Sequence, residues 1–502
     1  MVKLPDFLTN LSGNNKLLIA TAIAFVIIQL IFFPGMFVSI DEHTYVKNSF
    51  LIQGGSIAVE DSGYACRSNL FSDQGYIASQ FIGKSIFLIP FTWFGLIGVM
   101  FSGLIIHLIN FFLIILLLKR FSVNPLYSVL YLFYPAFLWA SRTLFAELLV
   151  LTGLLAGLYF YTSKNTRDHF LSGLFFGLAV LVRYDAIFAL IAFAVPAFLG
   201  DFKKGLKIMA GAAPIGLLIL IFNSLAYGGA VETGYGSGAG MLSRLIAGVF
   251  DFDILIYAII LLLVYPILLA SPFLLKKFPL KKEYSLLILF YFILNATFTE
   301  FLAFEFSLES SIVPRLRYLI PLIGLLIIPY SIFLSGIADS LKNKLGFFEK
   351  HKPIFIGFIL LTLFSGALLL SSTHSALVDS RKEVLSTIYE NTPIGSTIIG
   401  SSDDCIYFQK NLFGDRKYYN INLKQQLAGN PENISVDSLK GNGTYILEVF
   451  YGNRIGRESL REQTNLSERQ MLVDFIIAHE SELDLVYENL ENGTIRIYRW
   501  LG

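Results

Sequence analysis

Long apolar stretches separated by short polar segments dominate the first three quarters of the chain. Because a helix needs roughly 20 apolar residues to cross a bilayer, the pattern predicts a polytopic α-helical membrane protein with about 11 transmembrane helices. The predicted spans are residues 16–34, 97–118, 125–141, 146–162, 170–183, 186–200, 208–226, 254–275, 284–303, 317–335 and 353–372. No small-residue cleavage site follows the first span. We therefore predict that this span is an uncleaved signal anchor.

Lysine and arginine alternate between successive connections, as the positive-inside rule requires. The connections predicted to be cytoplasmic carry Lys119 and Arg120, Lys164 and Arg167, Lys203, Lys204 and Lys207, Lys276, Lys277, Lys281 and Lys282, and Lys342, Lys344, Lys350 and Lys352. With Lys3 and Lys16, they predict a cytoplasmic N-terminus. An odd number of spans then puts the C-terminus outside, which predicts a multi-pass protein of the plasma membrane with an extracellular C-terminal domain.

The composition becomes polar after residue 372, which divides the chain into a transmembrane domain (1–372) and a soluble α/β domain (373–502). In the tail we predict a helix closed by Pro393, strands at STIIGSS and NGTYILEVF, a helix that Ser467 caps, and a hairpin about Asn492 and Gly493. Sequons at Asn433, Asn442, Asn465 and Asn492 are compatible with an outside location.

Three predicted outer loops are long enough to have structure of their own: residues 35–96, residues 227–253, and the segment from Phe304 to Arg317. In the first, the stretch from Asp41 to Gln53 has helical spacing, and SIFLIPFTWFGLIG is apolar and interrupted by Pro90. Both suit helices that lie along the membrane surface. The second loop is rich in glycine, which favours flexibility.

Composition and charge exclude several classes of function. The chain is 55% hydrophobic and 15% charged, with a formal net charge of +1, so it lacks the basic surplus that nucleic-acid binding needs. Two cysteines, Cys66 and Cys405, are too few for a disulfide scaffold. Both fall on the predicted outer side, where they could form one disulfide bond or remain two unpaired thiols.

The strongest candidate for chemistry is the acid pair Asp41 and Glu42 in SIDEHTYVKNSF, just beyond the first span. A partly shielded carboxylate at this position could act as a general base toward an acceptor hydroxyl. The alternative is that Asp41 caps a surface helix that begins at Glu42. His43 beside two acids is not a specific metal site, so a divalent ion is compatible with the sequence but not implied, and no cofactor is required.

Several cations lie at the same predicted face: Lys84 in QFIGKSIFLIP, Arg183 in LVRYDAIF, and Arg315 with Arg317 in PRLRYLIP. Arg183 lies between apolar helices, so it must face a polar cavity, pair with Asp185, or extend toward water. Arg315 and Arg317 could bind a phosphate group or act as interface anchors. Glu147 and Glu300 are further acids at predicted outer helix ends, where exposure to water is the simpler explanation.

These motifs resemble the GT-C superfamily of membrane glycosyltransferases, in particular its protein O-mannosyltransferase and lipid A aminoarabinose transferase branch. The shared features are the tandem acids of SIDEHTY, GKSIFLIP, LVRYDAI and RLRYLIP. The resemblance implies a sugar donor linked to a polyprenyl or dolichyl phosphate, and transfer of a hexosyl group such as mannose with inversion. The chain lacks the K-P-P run of the aminoarabinose branch and has no WWDYG-like motif in its tail.

By position in the motifs, the resemblance implies that Asp41 is the base and Glu42 its acidic neighbour. Lys84 and Arg317 would bind the donor phosphate, with Arg315 and Arg183 near it, and Glu147, Tyr45 and Tyr318 would line the cavity. The acceptor would be a protein, a glycan or a lipid. A transporter or flippase for a lipid-linked sugar, and a receptor whose tail binds the ligand, are the alternatives. The enzyme is favoured over the transporter because the notable charges cluster at one face and no internal repeat is evident.

Overall fold

A computed structural model describes most of the chain. The described residues are 13–37, 39–60, 63, 69–72, 75–234, 236–237, 271–276, 278–298, 317–344, 346–401, 416–422, 435–441, 443–450, 460–490 and 494–501. The helices up to the tail are α1 (Gly13–Ile31), α2 (Ile40–Gln53), α3 (Ile82–Thr92), α4 (Gly95–Arg120), α5 (Val129–Phe133), α6 (Pro135–Ser141), α7 (Glu147–Tyr161), α8 (Asp168–Val182), α9 (Ile187–Gly200), α10 (Phe202–Tyr227), α11 (Ser271–Leu275), α12 (Lys281–Phe298), α13 (Ile320–Lys344) and α14 (Gly346–Asn391).

Among the described residues, helices appear where the apolar stretches predicted them, but they differ in length. Most of the predicted span 254–275, and most of the predicted loops 227–253 and 304–317, lie outside the described residues. Within the described residues, three segments are long and apolar enough to cross a membrane: Gly95–Arg120, Phe202–Tyr227 and Arg317–Ala338. The predicted span 125–141 is a short 3-10 turn followed by two short helices, α5 and α6. They are separated at Tyr134, whose backbone is extended before Pro135, because a residue preceding proline disfavours the helical conformation.

Residues 35–96 contain helices at both stretches where surface helices were predicted, as α2 and α3. The predicted interruption at Pro90 is wrong. Pro90 lies inside α3, whose last residue is Thr92, so proline removes only one hydrogen bond close to the helix end. The chain turns instead at Gly95, which has a φ of 66° and begins α4.

Helices α2 and α3 lie side by side and run in the same direction. Gln80 donates to Asp41 across 39 residues, and Thr92 donates to Gln53 across the same 39 residues. Because both bonds join residues that are equally far apart in the sequence, the axes of α2 and α3 must be parallel. A three-stranded sheet, formed by β1 (Ala58–Val59), β2 (Asn69–Ser72) and β3 (Gly75–Ala78), connects them. Asp41 and Lys84 therefore lie at the same end of the helix pair.

Small residues allow α7, α8 and α10 to pack closely. A Cβ atom on Gly173 of α8 would lie 1.8 Å from the carbonyl oxygen of Ile208, and one on Gly211 of α10 would lie 2.0 Å from that of Phe170. Gly153 of α7 approaches α8 in the same way. Glycine-mediated contact is the usual means by which helices associate in a bilayer, where burial of apolar surface against lipid gives little driving force.

After α10, strands β4 (Glu232–Thr233) and β5 (Gly236–Ser237) pair antiparallel.

The tail contains β6 (Thr397–Gly400), β7 (Lys417–Asn420), β8 (Thr444–Phe450), β9 (Leu483–Asn489) and β10 (Thr494–Trp500). They form a mixed five-stranded sheet in the order β7–β6–β8–β10–β9. Strand β6 is parallel to β7 and β8, whereas β10 is antiparallel to β8 and β9. The predicted strands at 397 and 444 and the paired strands of the terminal hairpin are confirmed; β7 was not predicted.

Two helix boundaries in the tail differ from the prediction. Helix α14 has 46 residues and continues through position 372, so the change in composition falls inside one helix, although it ends at Asn391 before Pro393 as expected. The last helix, α15 (Leu460–Ala478), begins before Ser467, so the predicted cap at Ser467 is wrong. The first turns of α15 carry mostly polar residues, so the apolar periodicity of the sequence did not indicate where the helix begins.

The first outer loop and the tail share a hydrophobic core. Met36 packs in one cluster with Val378 and Ile398, and Val59 with Tyr76 packs in another with Trp500. The sheet that connects α2 to α3 is therefore supported from outside by the tail.

We expect Gly173→Ala to destabilise the protein by about 1–3 kcal/mol, because the added methyl group would force α8 away from α10. Gly216→Ala is the matched control, since a Cβ atom there has no neighbour within 4 Å and alanine favours helix. Melting temperatures of the detergent-purified proteins measure the difference. Equal melting temperatures for the two variants would contradict the close contact.

Candidate active site

The cap of α2 is Ser39, not Asp41. Ser39 has an extended backbone, and its Oγ accepts a hydrogen bond from the backbone N of Glu42 at 3.3 Å. The helix begins at Ile40, one residue before Asp41. The cap interpretation of Asp41 is therefore wrong, because a serine two residues earlier already satisfies the free N–H group. The Asp41 carboxylate can serve interactions elsewhere.

Both carboxylate oxygens of Asp41 receive hydrogen bonds from distant residues. Arg317 Nη2 donates to Oδ2 at 2.7 Å, and Gln80 Nε2 donates to Oδ1 at 3.2 Å. The side chain of Asp41 keeps 25% of its surface exposed. Two of the motifs that the sequence singled out, SIDEHTY and RLRYLIP, are therefore in direct contact.

Glu147 joins two arginines in the interior. Its Oε1 lies 3.0 Å from Arg183 Nη1 and 3.4 Å from Arg317 Nε, and only 2% of its side chain is exposed. The expectation that Glu147 merely faces water is wrong, since a carboxylate withdrawn from water needs compensating charge nearby. Its second oxygen, Oε2, has no hydrogen-bond partner in the described part of the chain.

Arg183 is paired with Asp185, as one of the sequence alternatives proposed. Its Nε and Nη2 donate to the two Asp185 oxygens at 3.0 and 3.2 Å, while Nη1 donates to Glu147. The guanidinium also lies 4.6 Å from the ring of Tyr318. Because all three of its nitrogens are engaged, these contacts favour a role for Arg183 in holding Glu147.

Lys84 is the other buried cation of this region. It lies in the first turn of α3 and is fully buried. No residue that the structure describes forms a hydrogen bond with its Nζ. Burial lowers the pKa of Lys84 to about 7, and the charges of Glu147 and Glu42 act in the opposite direction. A buried amine without a described partner, close to carboxylates, is suited to receiving an anionic ligand.

Glu42 and Arg142 hold the turn that carries Glu147. Glu42 is buried, and its Oε1 accepts a hydrogen bond from the backbone N of Leu144 at 2.8 Å. Arg142 donates to Gln29 of α1 and His374 of α14, both at 3.3 Å, and also to the carbonyl oxygen of Phe32. Glu42 thus positions the segment between α6 and α7 as well as adding charge to the site.

The remaining candidates divide into three groups. Tyr318 lies in the site, 3.4 Å from Arg317 Nη2, whereas Tyr45 packs in the hydrophobic core of the membrane part. Arg315, Glu300, Cys66 and Cys405 lie outside the described residues. Among the described residues, no group of three His, Cys, Asp or Glu side chains is arranged to hold a metal ion. His43 is buried, and burial together with Lys47 lowers its pKa to about 3.

Sequence reasoning missed two neighbours of the charged residues. Gln80 binds Asp41, and the ring of Phe145 lies 4.2 Å from the Arg317 guanidinium. Gln80 stands four residues before Lys84 in the stretch QFIGKSIFLIP, and this proximity was the only sequence signal for it. The sequence gives no signal for Phe145, because a single aromatic residue in an apolar segment does not stand out.

We expect Glu147→Gln to lower stability by about 3–5 kcal/mol, because it leaves Arg183 and Arg317 without their shared counter-charge in a buried site. Glu60→Gln, at an exposed position, is the control and should have little effect. Thermal unfolding in detergent measures both. A Glu147→Gln protein as stable as wild type would mean that the shared carboxylate is not a structural requirement.

The overall fold is similar to that of ArnT from Cupriavidus metallidurans. The crystal structure of ArnT bound to undecaprenyl phosphate superposes with a TM-score of 0.58 at 9% identity, over 96% of this chain and 98% of that chain. The apo structure of ArnT gives 0.56 at 10% identity, over 97% and 98%. No family model matches the sequence, and no curated protein sequence matches it significantly. The prediction of a mostly helical protein is confirmed, and its fold is similar to that of ArnT.

Proposed function

We propose that the protein is a glycosyltransferase that moves a sugar from a polyprenyl or dolichyl phosphate carrier to an acceptor hydroxyl group. The observation that carries the proposal is the cluster of Asp41, Glu147 and Arg317, with the buried Lys84 at the same end of the helix pair as Asp41. These residues come from four distant segments and combine a carboxylate with cations, as the reaction requires. The similarity of the fold to ArnT, whose structure contains undecaprenyl phosphate, supports this class of donor.

Lys84 and Arg317 are the residues that we assign to the donor phosphate. The leaving group of the reaction is a lipid phosphate, so positive charge beside it stabilises the transition state. Lys84 is buried and has no described hydrogen-bond partner, which leaves its amine available to an anionic oxygen. Arg317 is held by Asp41 and Glu147, so phosphate binding would require it to exchange at least one of these contacts.

Asp41 is the proposed general base. Arg317 donates to its Oδ2 at 2.7 Å. A donor phosphate that attracts Arg317 would release this oxygen to accept a proton. The base would then become active only when the donor is bound, which implies that the donor binds before the acceptor is deprotonated.

The reaction that follows from these roles is a single displacement. The acceptor oxygen forms a bond to the anomeric carbon while the bond from that carbon to the phosphate oxygen breaks. The hydroxyl proton passes to Asp41, and polyprenyl phosphate leaves with the electron pair. Attack opposite the phosphate inverts the anomeric configuration. Asp41 acts as the base, and Lys84 and Arg317 stabilise the leaving group.

The remaining features of the proposal rest on the resemblance and on the charge pattern of the sequence. The transferred sugar is a hexose such as mannose, and the acceptor is a hydroxyl group of a protein, glycan or lipid. Residues 1–372 form the catalytic membrane domain of a plasma-membrane protein with a cytoplasmic N-terminus, and residues 373–502 form an extracellular domain. A Cys66–Cys405 disulfide is supported by the contact of Gly63 with Lys417, which brings the first outer loop beside the tail.

We expect Asp41→Asn to lower turnover by about 10²–10⁴-fold, because asparagine cannot accept the hydroxyl proton. The assay follows release of polyprenyl phosphate from dolichyl-phosphate mannose and related polyprenyl-phosphate hexoses, with a membrane extract as the source of acceptor. Asp379→Asn, at an exposed position of α14, is the control and should retain full activity.

Two outcomes of that assay would contradict the proposal. One is turnover like wild type in Asp41→Asn. The other is a wild-type protein that releases no polyprenyl phosphate but moves the lipid-linked sugar across vesicle membranes, which would identify a transporter.

We expect the affinity for polyprenyl phosphate to fall about tenfold between pH 7 and pH 8.5, since Lys84, with a pKa near 7, loses its charge over this range. Lys84→Arg should remove most of this dependence because arginine stays protonated. Lys84→Met should bind weakly at both pH values. Titration of each detergent-purified protein with polyprenyl phosphate measures the dissociation constants. The same pH dependence in all three proteins would exclude Lys84 from the phosphate site.

A further inference from the structure

We propose that Gln80 is a positioning residue that holds one oxygen of Asp41 so that the other faces the donor and acceptor. The inference rests on the proposed function, because it assigns Gln80 a role only if Asp41 is the base. No sequence motif indicated it. The evidence is the geometry around Asp41 and the way in which the Gln80 segment is itself held.

Gln80 and Arg317 bind different oxygens of the same carboxylate. Gln80 Nε2 donates to Oδ1 at 3.2 Å, and Arg317 Nη2 donates to Oδ2 at 2.7 Å. Gln80 is 4% exposed, so water competes poorly for its amide. When a donor phosphate draws Arg317 away, the bond from Gln80 would still fix the orientation of Asp41. A neutral amide does this without neutralising the base.

The amide of Gln80 is oriented by its neighbour. Ser79 Oγ lies 3.4 Å from Gln80 Oε1, so the oxygen of the amide receives a donor and the nitrogen is directed at Asp41. The carboxylate of Asp41 requires the same assignment, because an ionised carboxylate can only accept. The carboxylate therefore decides which end of the amide faces the base, and the Ser79 hydroxyl can donate to the other end.

The backbone immediately before Gln80 is held by residues 227 and 234. Tyr227 at the end of α10 donates from its hydroxyl to the carbonyl oxygen of Ala78 at 2.9 Å. Gly234 lies so close that a Cβ atom there would be 2.1 Å from the carbonyl oxygen of Ser79. These contacts limit the movement of the backbone next to Gln80, which fixes the position from which its side chain extends.

Gln80 also relates the base to the phosphate site. It precedes α3 directly, and Lys84 follows four residues later in the first turn of that helix. Asp41 lies in the first turn of α2. The bond between Gln80 and Asp41 therefore sets the distance between the base on one helix and the phosphate-binding lysine on the other.

The opposite end of the helix pair offers a matched control. There Thr92 Oγ1 donates to Gln53 Oε1 at 2.8 Å, which links α3 to α2 across the same 39 residues. If Gln80 acted only as a connection between the helices, removal of the Thr92 bond would have a similar effect. If Gln80 positions the base, only its own removal would change catalysis.

The experiment compares Gln80→Leu, Gln80→Glu, Thr92→Val and Asp41→Asn with wild type, in the polyprenyl phosphate release assay across pH 5 to 9. Gln80→Leu should lower kcat about tenfold or more through misorientation of Asp41, with the donor KM changed less than about twofold. Gln80→Glu should move the acidic limb of the kcat/KM profile to higher pH, because a second carboxylate raises the pKa of Asp41. Thr92→Val should keep the wild-type kcat and pH profile.

Each outcome decides between the two proposals. If Asp41→Asn is inactive while both Gln80 variants match Thr92→Val in kcat and pH profile, the positioning role is overturned and the proposed function stands. If Asp41→Asn retains turnover, the proposed function fails, and the role of Gln80 fails with it. Melting temperatures of all variants separate loss of folded protein from loss of catalysis, and the shifted limb in Gln80→Glu is a change that misfolding does not produce.

Discussion

The structure depends on compensating charges that are withdrawn from water at one end of the helix bundle. Asp185, Arg183, Glu147, Arg317 and Asp41 form a chain in which acid and base alternate, with ion-pair distances between 2.7 and 3.4 Å. Each arginine is paired with two carboxylates, so no member of this chain of ion pairs is left alone where an unpaired buried charge is several kcal/mol unfavourable. The ion pairs join the start of α7, the residue after α8, the turn before α13 and helix α2, so these elements cannot be arranged independently.

The protein around these ion pairs has two parts, and each part is held together by a different kind of contact. Within the membrane part, α7, α8 and α10 approach through glycines, because close backbone contact replaces the hydrophobic effect as the source of association in lipid. Outside it, the parallel helices α2 and α3 are connected by a small sheet that shares a hydrophobic core with the tail. The tail is thereby a support for the loop that carries Asp41 and Lys84, although it contributes no described residue to the charged cluster.

The proposed reaction depends on the same series of ion pairs. In the proposed reaction, Arg317, which donates to Asp41, would turn to the donor phosphate and so couple binding of the donor to release of the base. Lys84 would add a buried amine that lacks a described partner, and Gln80 would keep its bond to the carboxylate through the exchange. The charges of the cluster compensate one another, and binding of an anion would redistribute them.

The sequence by itself determined the membrane class, the positions of most helices, the existence of helices α2 and α3 and the residues that carry the charges of the site. It offered the pairing of Arg183 with Asp185 as one of several alternatives, since the two lie within one short segment. These features depend on local periodicity, on length and on the cost of burying an isolated charge. The cap of α2 by Ser39 is a local contact between residues three apart, which the sequence analysis missed. Only the tertiary structure decided that Glu147 is shared between Arg183 and Arg317, and that Gln80 and Arg317 both bind Asp41. These contacts include residues 36 to 276 positions apart, and which of several acids and bases meet is set by helix packing, which no local pattern records.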